Sequence, residues 1–206
     1  MLSAQFNVKV AYSIGFSSPE TNNKIINEFN LQNAEVIALE MKDLGILHGI
    51  ALGARYKLGA GAFELSWENL GQSVRAVGEN INTTLFQEEV FYSFNQLSLG
   101  YENYFGIVGL GGALGFNKIR IKSKIANSDF KEQLVADSQL TFRFNLSLNF
   151  DNSNAVTFAI KPFIQFPLSD LDIGTLAEEL EVSNQGEYKE SFPMMGISFI
   201  FYNGSQ

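Results

Sequence analysis

Glu64 and Glu68, four residues apart, are the carboxylates whose spacing could serve acid–base chemistry, one held protonated and the other ionised. The chain gives them little catalytic company. His48 is its only histidine and cysteine is absent, which removes a histidine metal triad, a Ser-His-Asp set and a Cys-His pair. Gly109-Leu110-Gly111-Gly112 resembles a phosphate loop, but neither the strand-to-helix context nor a following Lys-Ser/Thr is present. Asp170 to Glu181 has the outer spacing of a calcium loop, with Gly174 one position early and Thr175 at the turn position. The better reading there is a capped, solvated helix whose Leu176 and Leu180 pack against a rim or a partner. His48 reads as an ordinary surface or rim histidine. No catalytic, cofactor-binding or metal site is expected, and no enzyme activity.

The composition narrows the class. Across 206 residues the net charge is −8, which argues against nucleic acid as a partner. Charged residues make up 17%, below the roughly 25% of ordinary soluble domains. Nineteen Phe and seven Tyr are an unusual aromatic load, and eighteen Gly against four Pro suits strands joined by tight turns. No apolar run reaches the roughly 18 residues of a membrane helix, so any spanning must be by strands. Leu2-Ser3-Ala4-Gln5 looks like the end of a secretory signal, which makes this an exported chain numbered from near its processing site.

The stretch that positions everything else is LTFRFNLSLNF, residues 140–150. Leu140, Phe142, Phe144, Leu146, Leu148 and Phe150 share one face of an extended chain, and Thr141, Arg143, Asn145, Ser147 and Asn149 the other. The same alternation recurs over 5–16, 49–58, 63–68, 90–101, 106–121, 155–168 and 194–202. Short turns are expected at 59–62, 102–105 and 151–154, and long connections at 17–45, 72–86, 123–136 and 169–191. Helix starts are expected at Ser18-Pro19-Glu20 and between residues 172 and 182. The pattern is all-β, one domain over 1–206: an eight-stranded antiparallel up-and-down transmembrane β-barrel with short periplasmic turns and long extracellular loops.

A lipocalin-like barrel would turn the apolar face inward. Five or six large apolar side chains per strand, many of them Phe, overfill an eight-stranded interior, whereas the opposite face is mostly small. With Tyr101 and Gly106 flanking a turn, Gln96 would face Gly111, Phe94 Ala113 and Tyr92 Gly115, large residues against missing side chains. The small face is therefore the lumen and the apolar face meets lipid. Lys9, Arg55, Lys57, Glu64, Glu68, Arg143 and Lys161 all fall on the small face, with Lys57 expected opposite Glu64. They are read as a lumen charge network that fills and stiffens the barrel. Aromatic girdles are expected from Phe6, Phe63, Tyr101, Tyr104, Phe105 and Phe150 at the turn end, and from Phe16, Phe86, Phe91, Phe116 and Phe166 at the loop end.

This layout resembles small eight-stranded outer-membrane barrels of the OmpA-barrel and OmpX type, and the porin-like outer-membrane β-barrel domain proteins of Bacteroidota. The resemblance covers nearly the whole chain and includes the Ser3-Ala4-Gln5-Phe6 start and the last strand, GISFIFYN. It implies a barrel-assembly signal carried by Phe199, Phe201 and Tyr202, although the Asn203-Gly204-Ser205-Gln206 tail departs from the usual aromatic ending. It also implies the bacterial outer membrane as location, with outer-membrane lipid or lipopolysaccharide and the barrel assembly machinery as partners.

The expected role is structural or interactive, with the lumen plugged by its own side chains. One alternative is an accessory subunit of a larger secretion or nutrient-uptake complex. Ile25, Ile26, Phe29 and Leu31 in the first long connection lean that way, towards another outer-membrane protein. A channel for small or hydrophobic solutes is the other alternative.

Overall fold

A computed structural model describes residues 4–79, 85–125, 130–153, 156–182 and 187–204. The expected signal residues Leu2 and Ser3, part of the 151–154 turn and the last two residues lie outside them. In chain order the elements are Ala4–Phe16 (β1), Glu20–Gln32 (α1), Ile37–Leu39 (β2), Ile46–Leu58 (β3), Gly61–Glu79 (β4), Leu85–Phe105 (β5) and Val108–Ile125 (β6). Then follow Glu132–Ser153 (β7), Val156–Pro167 (β8), Leu171–Asp172 (β9), Gly174–Glu179 (α2), Lys189–Glu190 (β10) and Met194–Asn203 (β11).

Eight of the strands close on themselves. Each of β3, β4, β5, β6 and β7 pairs antiparallel with the next, β8 pairs with β11, and β1 joins β11 to β3. The ring leaves no free edge through the membrane, the condition for strands to cross lipid with every backbone group paired. At the seam Asn7 Nδ2 donates to the Asn203 carbonyl at 2.5 Å, the Val8 N–H donates to the Asn203 side chain, and Thr157 Oγ1 donates to the Gly204 carbonyl at 2.9 Å.

Two of the short turns are two-residue turns, and both differ from expectation. Gly59 and Gly106 take φ of 60° and 67°, a region closed to most side chains, so each turn sits at its glycine. Leu58 then faces Gly61, which sets Glu64 opposite Arg55 and Ala62 opposite Lys57. Phe105 faces Val108, so the turn expected at 102–105 is strand, and the pairs become Glu102–Gly111, Gly100–Ala113 and Ser98–Gly115. Small still meets large, but diagonally: a Cβ on Gly115 would overlap the Gln96 side chain.

The strands are of two kinds. β1, β3, β8 and β11 have 10 to 13 residues, whereas β4, β5, β6 and β7 have 18 to 22. A tilted strand needs about 9–11 residues to cross the apolar layer. The long strands therefore project beyond it, and much of the expected loops 72–86 and 123–136 is strand instead.

On β4, β5 and β6 the two faces exchange character part-way up. Going up β5, the outward residues Phe105, Tyr101, Leu99 and Leu97 give way to Asn95, Ser93 and Glu89, while the inward residues Glu102 and Gln96 give way to Phe94, Tyr92 and Val90. In β4 the outward Phe63, Leu65 and Trp67 are followed by Asn69, Ser73 and Arg75, and the inward Glu64 and Glu68 by Leu70, Val74 and Ala76. In β6 the outward Leu110, Leu114 and Phe116 are followed by Lys118, Arg120, Lys122 and Lys124, and the inward Asn117 by Ile119 and Ile121. Trp67, Leu97, Phe116 and Leu140 form one register row, and the next row up is Asn69, Asn95, Lys118 and Ser138. A single pleat separates the lipid-facing belt from the water-facing wall.

Tyr104, expected in the turn-end girdle, points inward and is 8% exposed, while Phe6, Phe63, Tyr101, Phe105 and Phe150 do ring that end on the outside. At the other end Phe16, Phe116 and Phe166 are outward and exposed; Phe86 packs inward against a core, and Phe91 stands above the belt.

The boundary is testable by charge insertion. Leu99→Arg, in mid-belt and 61% exposed, should lower the unfolding free energy in lipid vesicles by roughly 2–4 kcal/mol. Ser73→Arg, on the same outer surface above the boundary, should change it by less than about 0.5 kcal/mol.

Candidate functional site

Inside the belt, the lumen is filled by side chains that meet across it. Lys9 Nζ lies 2.7 Å from Glu64 Oε1 and 3.0 Å from Ser66 Oγ. Lys161 Nζ lies 2.7 Å from Glu102 Oε2 and 3.4 Å from Glu64 Oε2. The Tyr202 hydroxyl donates to Glu64 Oε2 at 2.6 Å, and Ser147 Oγ donates to Glu102. Since β8 and β4 stand on opposite sides of the ring, the Lys161–Glu64 contact spans the full bore.

A second cluster sits above it. Arg143 Nη2 is 2.5 Å from Glu68 Oε2, Arg143 Nε donates to Gln165 Oε1 at 2.9 Å, and the guanidinium lies 4.1 Å from the centre of the Phe163 ring. Arg55, 1% exposed, is held by an aromatic: its guanidinium stacks 3.7 Å from the Tyr202 ring centre and donates to Asn7 Oδ1 at 3.1 Å. Lys57 Nζ lies 5.6 Å from the centre of the Tyr104 ring. The space left beside Glu64, Glu102 and Lys161 is about 20 Å³, room for about one water.

All seven charged residues singled out from the sequence lie on this inner face, joined by Glu102, which the sequence reading set in a turn. Tyr202 and Gln96 are further members that the reading did not assign to the network. Tyr202 also departs from its expected company: Phe199 and Phe201 face outward, whereas Tyr202 is 1% exposed inside. His48 is outside the lumen, exposed on the outer face with its Nδ1 3.0 Å from the Tyr12 hydroxyl. Gly109 to Gly112 lie within β6, and a Cβ on Gly109 would overlap Glu102 and Ser147, so the glycine makes room for the network. In the 170–181 segment Asp172 accepts the Gly174 N–H at 2.8 Å just ahead of α2, whose N-cap position is Ile173 and which, against expectation, has no side-chain cap. Among the described residues no three His, Cys, Asp or Glu side chains are grouped to hold a metal.

Above the charged storeys the interior is apolar. The inward faces of β4, β5 and β6 supply Leu70, Val74, Val90, Tyr92, Phe94, Ile119 and Ile121, and the connections supply Ile25, Ile26, Phe29, Ile173, Leu176 and Leu180. Ile25, Ile26 and Phe29, expected to lean towards a partner, are therefore core, at 5% exposure or less; Leu31 stays outside at 76%. Polar ties fix the cap. Tyr92 donates to Asn22 Oδ1 at 2.9 Å, Glu190 accepts the Asn22 N–H at 2.9 Å, and Thr175 Oγ1 donates to the Leu134 carbonyl at 2.9 Å. β2 pairs with β4 where β3 has ended, and α2 packs on β7 beyond the reach of β8, so both edges of the projecting wall are covered.

Within the cap, above the membrane boundary, Glu88 points inward near Glu179, whose carboxylate accepts Ser123 Oγ at 2.8 Å. Burial first, and the charge of Glu179 second, push the Glu88 carboxyl up to about 7.

No protein-family model and no curated protein matches the chain. Among solved structures it is similar to Neisserial surface protein A (NspA), with 11% identity, 98% of this chain and 99% of that chain covered, and a TM-score of 0.44. It is also similar to Ail, the attachment invasion locus protein of Yersinia pestis, with 13% identity, 99% of each chain covered and a TM-score of 0.46.

Removing one partner of a cross-lumen pair leaves a buried charge. Arg143→Met should destabilise the barrel by about 3–5 kcal/mol, and adding Glu68→Gln should restore most of it, read as the heat needed to shift electrophoretic mobility in detergent. Because the folded state raises the Glu88 pKa, its stabilising contribution is complete below the unfolded value near 4.5 and is lost as pH rises through about 7. Proteolytic nicking of the cap should therefore increase from pH 5 to pH 8, and Glu88→Gln should flatten that dependence.

Proposed function

We propose that this chain is a non-enzymatic outer-membrane protein with a structural and interaction role: a sealed barrel that carries a folded cap on the outer side. The observation that carries the reading is that the cap's core is built on the inner faces of β4, β5 and β6, so anchor and presented surface are one rigid piece. Two filled storeys, charged below and apolar above, argue against a solute path through the bore. The lipid-facing belt and the closure of the strand ring support a membrane location, and a barrel rather than helices points to the bacterial outer membrane.

The accessory-subunit reading loses its main argument, because Ile25, Ile26 and Phe29 are internal to the cap. The first test is native mass after extraction from its own membrane in mild detergent. A single chain of 22.9 kDa with its detergent belt is the expected result, together with no stable conductance steps in planar bilayers. A discrete larger complex would make it an accessory subunit, and steady conductance would make it a channel.

A further inference from the structure

In the cap, two carboxylates face each other where the wall meets α2. Glu88, on the inward side of β5, is 8% exposed, and its Oε1 has no hydrogen-bond partner among the described residues. Glu179, in the last turn of α2, is half-buried, and its charge is felt at Glu88. From β6, Ser123 Oγ donates to Glu179 Oε1 at 2.8 Å, and this serine is 1% exposed. Three elements, β5, β6 and α2, thus bring side-chain oxygens together.

No basic side chain answers them. Glu88 is flanked in register by Ala76 on β4 and Ile125 on β6. Arg75, Lys122 and Lys124 alternate to the opposite, outward face, where Glu89 lies in register between Arg75 and Lys124. α2 has no basic residue in its last turn, and Glu178 and Glu181 are further acids in the same segment. Neither Glu88 nor Glu179 takes part in an ion pair among the described residues. A carboxylate buried without a partner is costly, so the arrangement calls for a positive charge.

We propose that Glu88, Glu179 and Ser123 bind a calcium ion that staples α2 to the wall at β5 and β6. Oxygen ligands without nitrogen or sulfur suit a hard cation, and calcium tolerates an irregular shell better than magnesium does. Two carboxylates balance its two charges. The protein supplies only part of the shell and water completes it, which puts the dissociation constant at about 0.1–1 mM. Half-buried Glu179 gives the ion a way in from solvent. The site is distinct from the loop spacing of 170–181, because Asp172 accepts the Gly174 N–H and only Glu179 of that segment takes part. The inference goes beyond the interaction role, since a cap of any purpose would be held in this way.

The test uses the full chain folded in an uncharged detergent at pH 8, stripped with a chelator and titrated with calcium chloride by isothermal calorimetry. The wild type should bind one ion per chain, and Glu88→Gln/Glu179→Gln should show no binding below about 10 mM. Calcium at about four times its dissociation constant should slow proteolytic nicking of the wild-type cap roughly fivefold, and should leave nicking of the double variant unchanged. Asp170→Asn/Asp172→Asn should bind as the wild type does; loss of binding there instead would move the ion to the loop and overturn the proposal. Failure of the wild type to bind calcium, with Glu88→Gln alone resisting nicking, would make the pair a shared-proton site only. Equal slowing by sodium chloride at matched ionic strength would reduce the effect to screening, and either result overturns the proposal. Heat-shifted mobility reports the folding of each variant separately. Should the double variant not fold, Glu179→Gln alone, at a half-buried position, should weaken binding about tenfold.

Discussion

A β-strand has only two faces, and β4, β5 and β6 must each satisfy four environments with them. Outside, lipid gives way to water; inside, a charged bore gives way to an apolar core. Leu97 and Asn95 on the outer face of β5, and Gln96 and Phe94 on its inner face, make both changes within one pleat. Had only the outer face changed, the projecting wall would be polar on both sides and nothing would hold α1 and α2 to it. A change confined to the inner face would have left the wall apolar on both sides in water. The coincidence of the two changes turns a membrane anchor into the wall of a water-soluble core without a break in the sheet.

The charged storeys below do a different job from stabilisation in the usual sense. An apolar lumen would pack as well, and buried ion pairs are often no better than apolar replacements of the same volume. What charge adds is a difference between the faces. With Glu64, Glu68, Lys161 and Arg143 inside, slipping β4, β7 or β8 by one residue would put a charge into lipid and a large apolar side chain into the bore. Contacts such as Lys161–Glu64, across the whole ring, also tie strands that share no ladder. Arg55 extends the logic with an aromatic in place of a carboxylate, using the flat face of Tyr202.

Much of this was legible in the chain, and the misreadings have physical causes. Residues 140–150 alternate without interruption, and their outward and inward sets are those of the structure. The seven lumen charges were legible by parity alone. Glu102 was not, because Glu-Asn-Tyr-Phe before a glycine has turn composition, and only the φ of Gly106 decides which residues bend. Lys57 was matched to Glu64 by assuming a four-residue turn, whereas a two-residue turn moves the pairing to Arg55. The upper part of β4 was read as a loop for a subtler reason. The period of two continues there with its faces exchanged, so a count kept on one face sees the strand end. The cap was missed because apolar residues in a connection have no parity to say where they point.

The sharing of core between cap and wall has a consequence for how such a chain can change over generations. Outer loops of membrane barrels are usually free to vary in length and sequence because they contact little beyond themselves. Here Ile25, Ile26 and Phe29 touch the same apolar cluster as Val90 and Ile119, so a change in one connection is felt in strands that continue into the bilayer. Freedom is left to positions that face only water, such as Leu31 and the outer side of α1. The outer surface can be repainted residue by residue, but it cannot be exchanged wholesale without rebuilding the barrel that holds it.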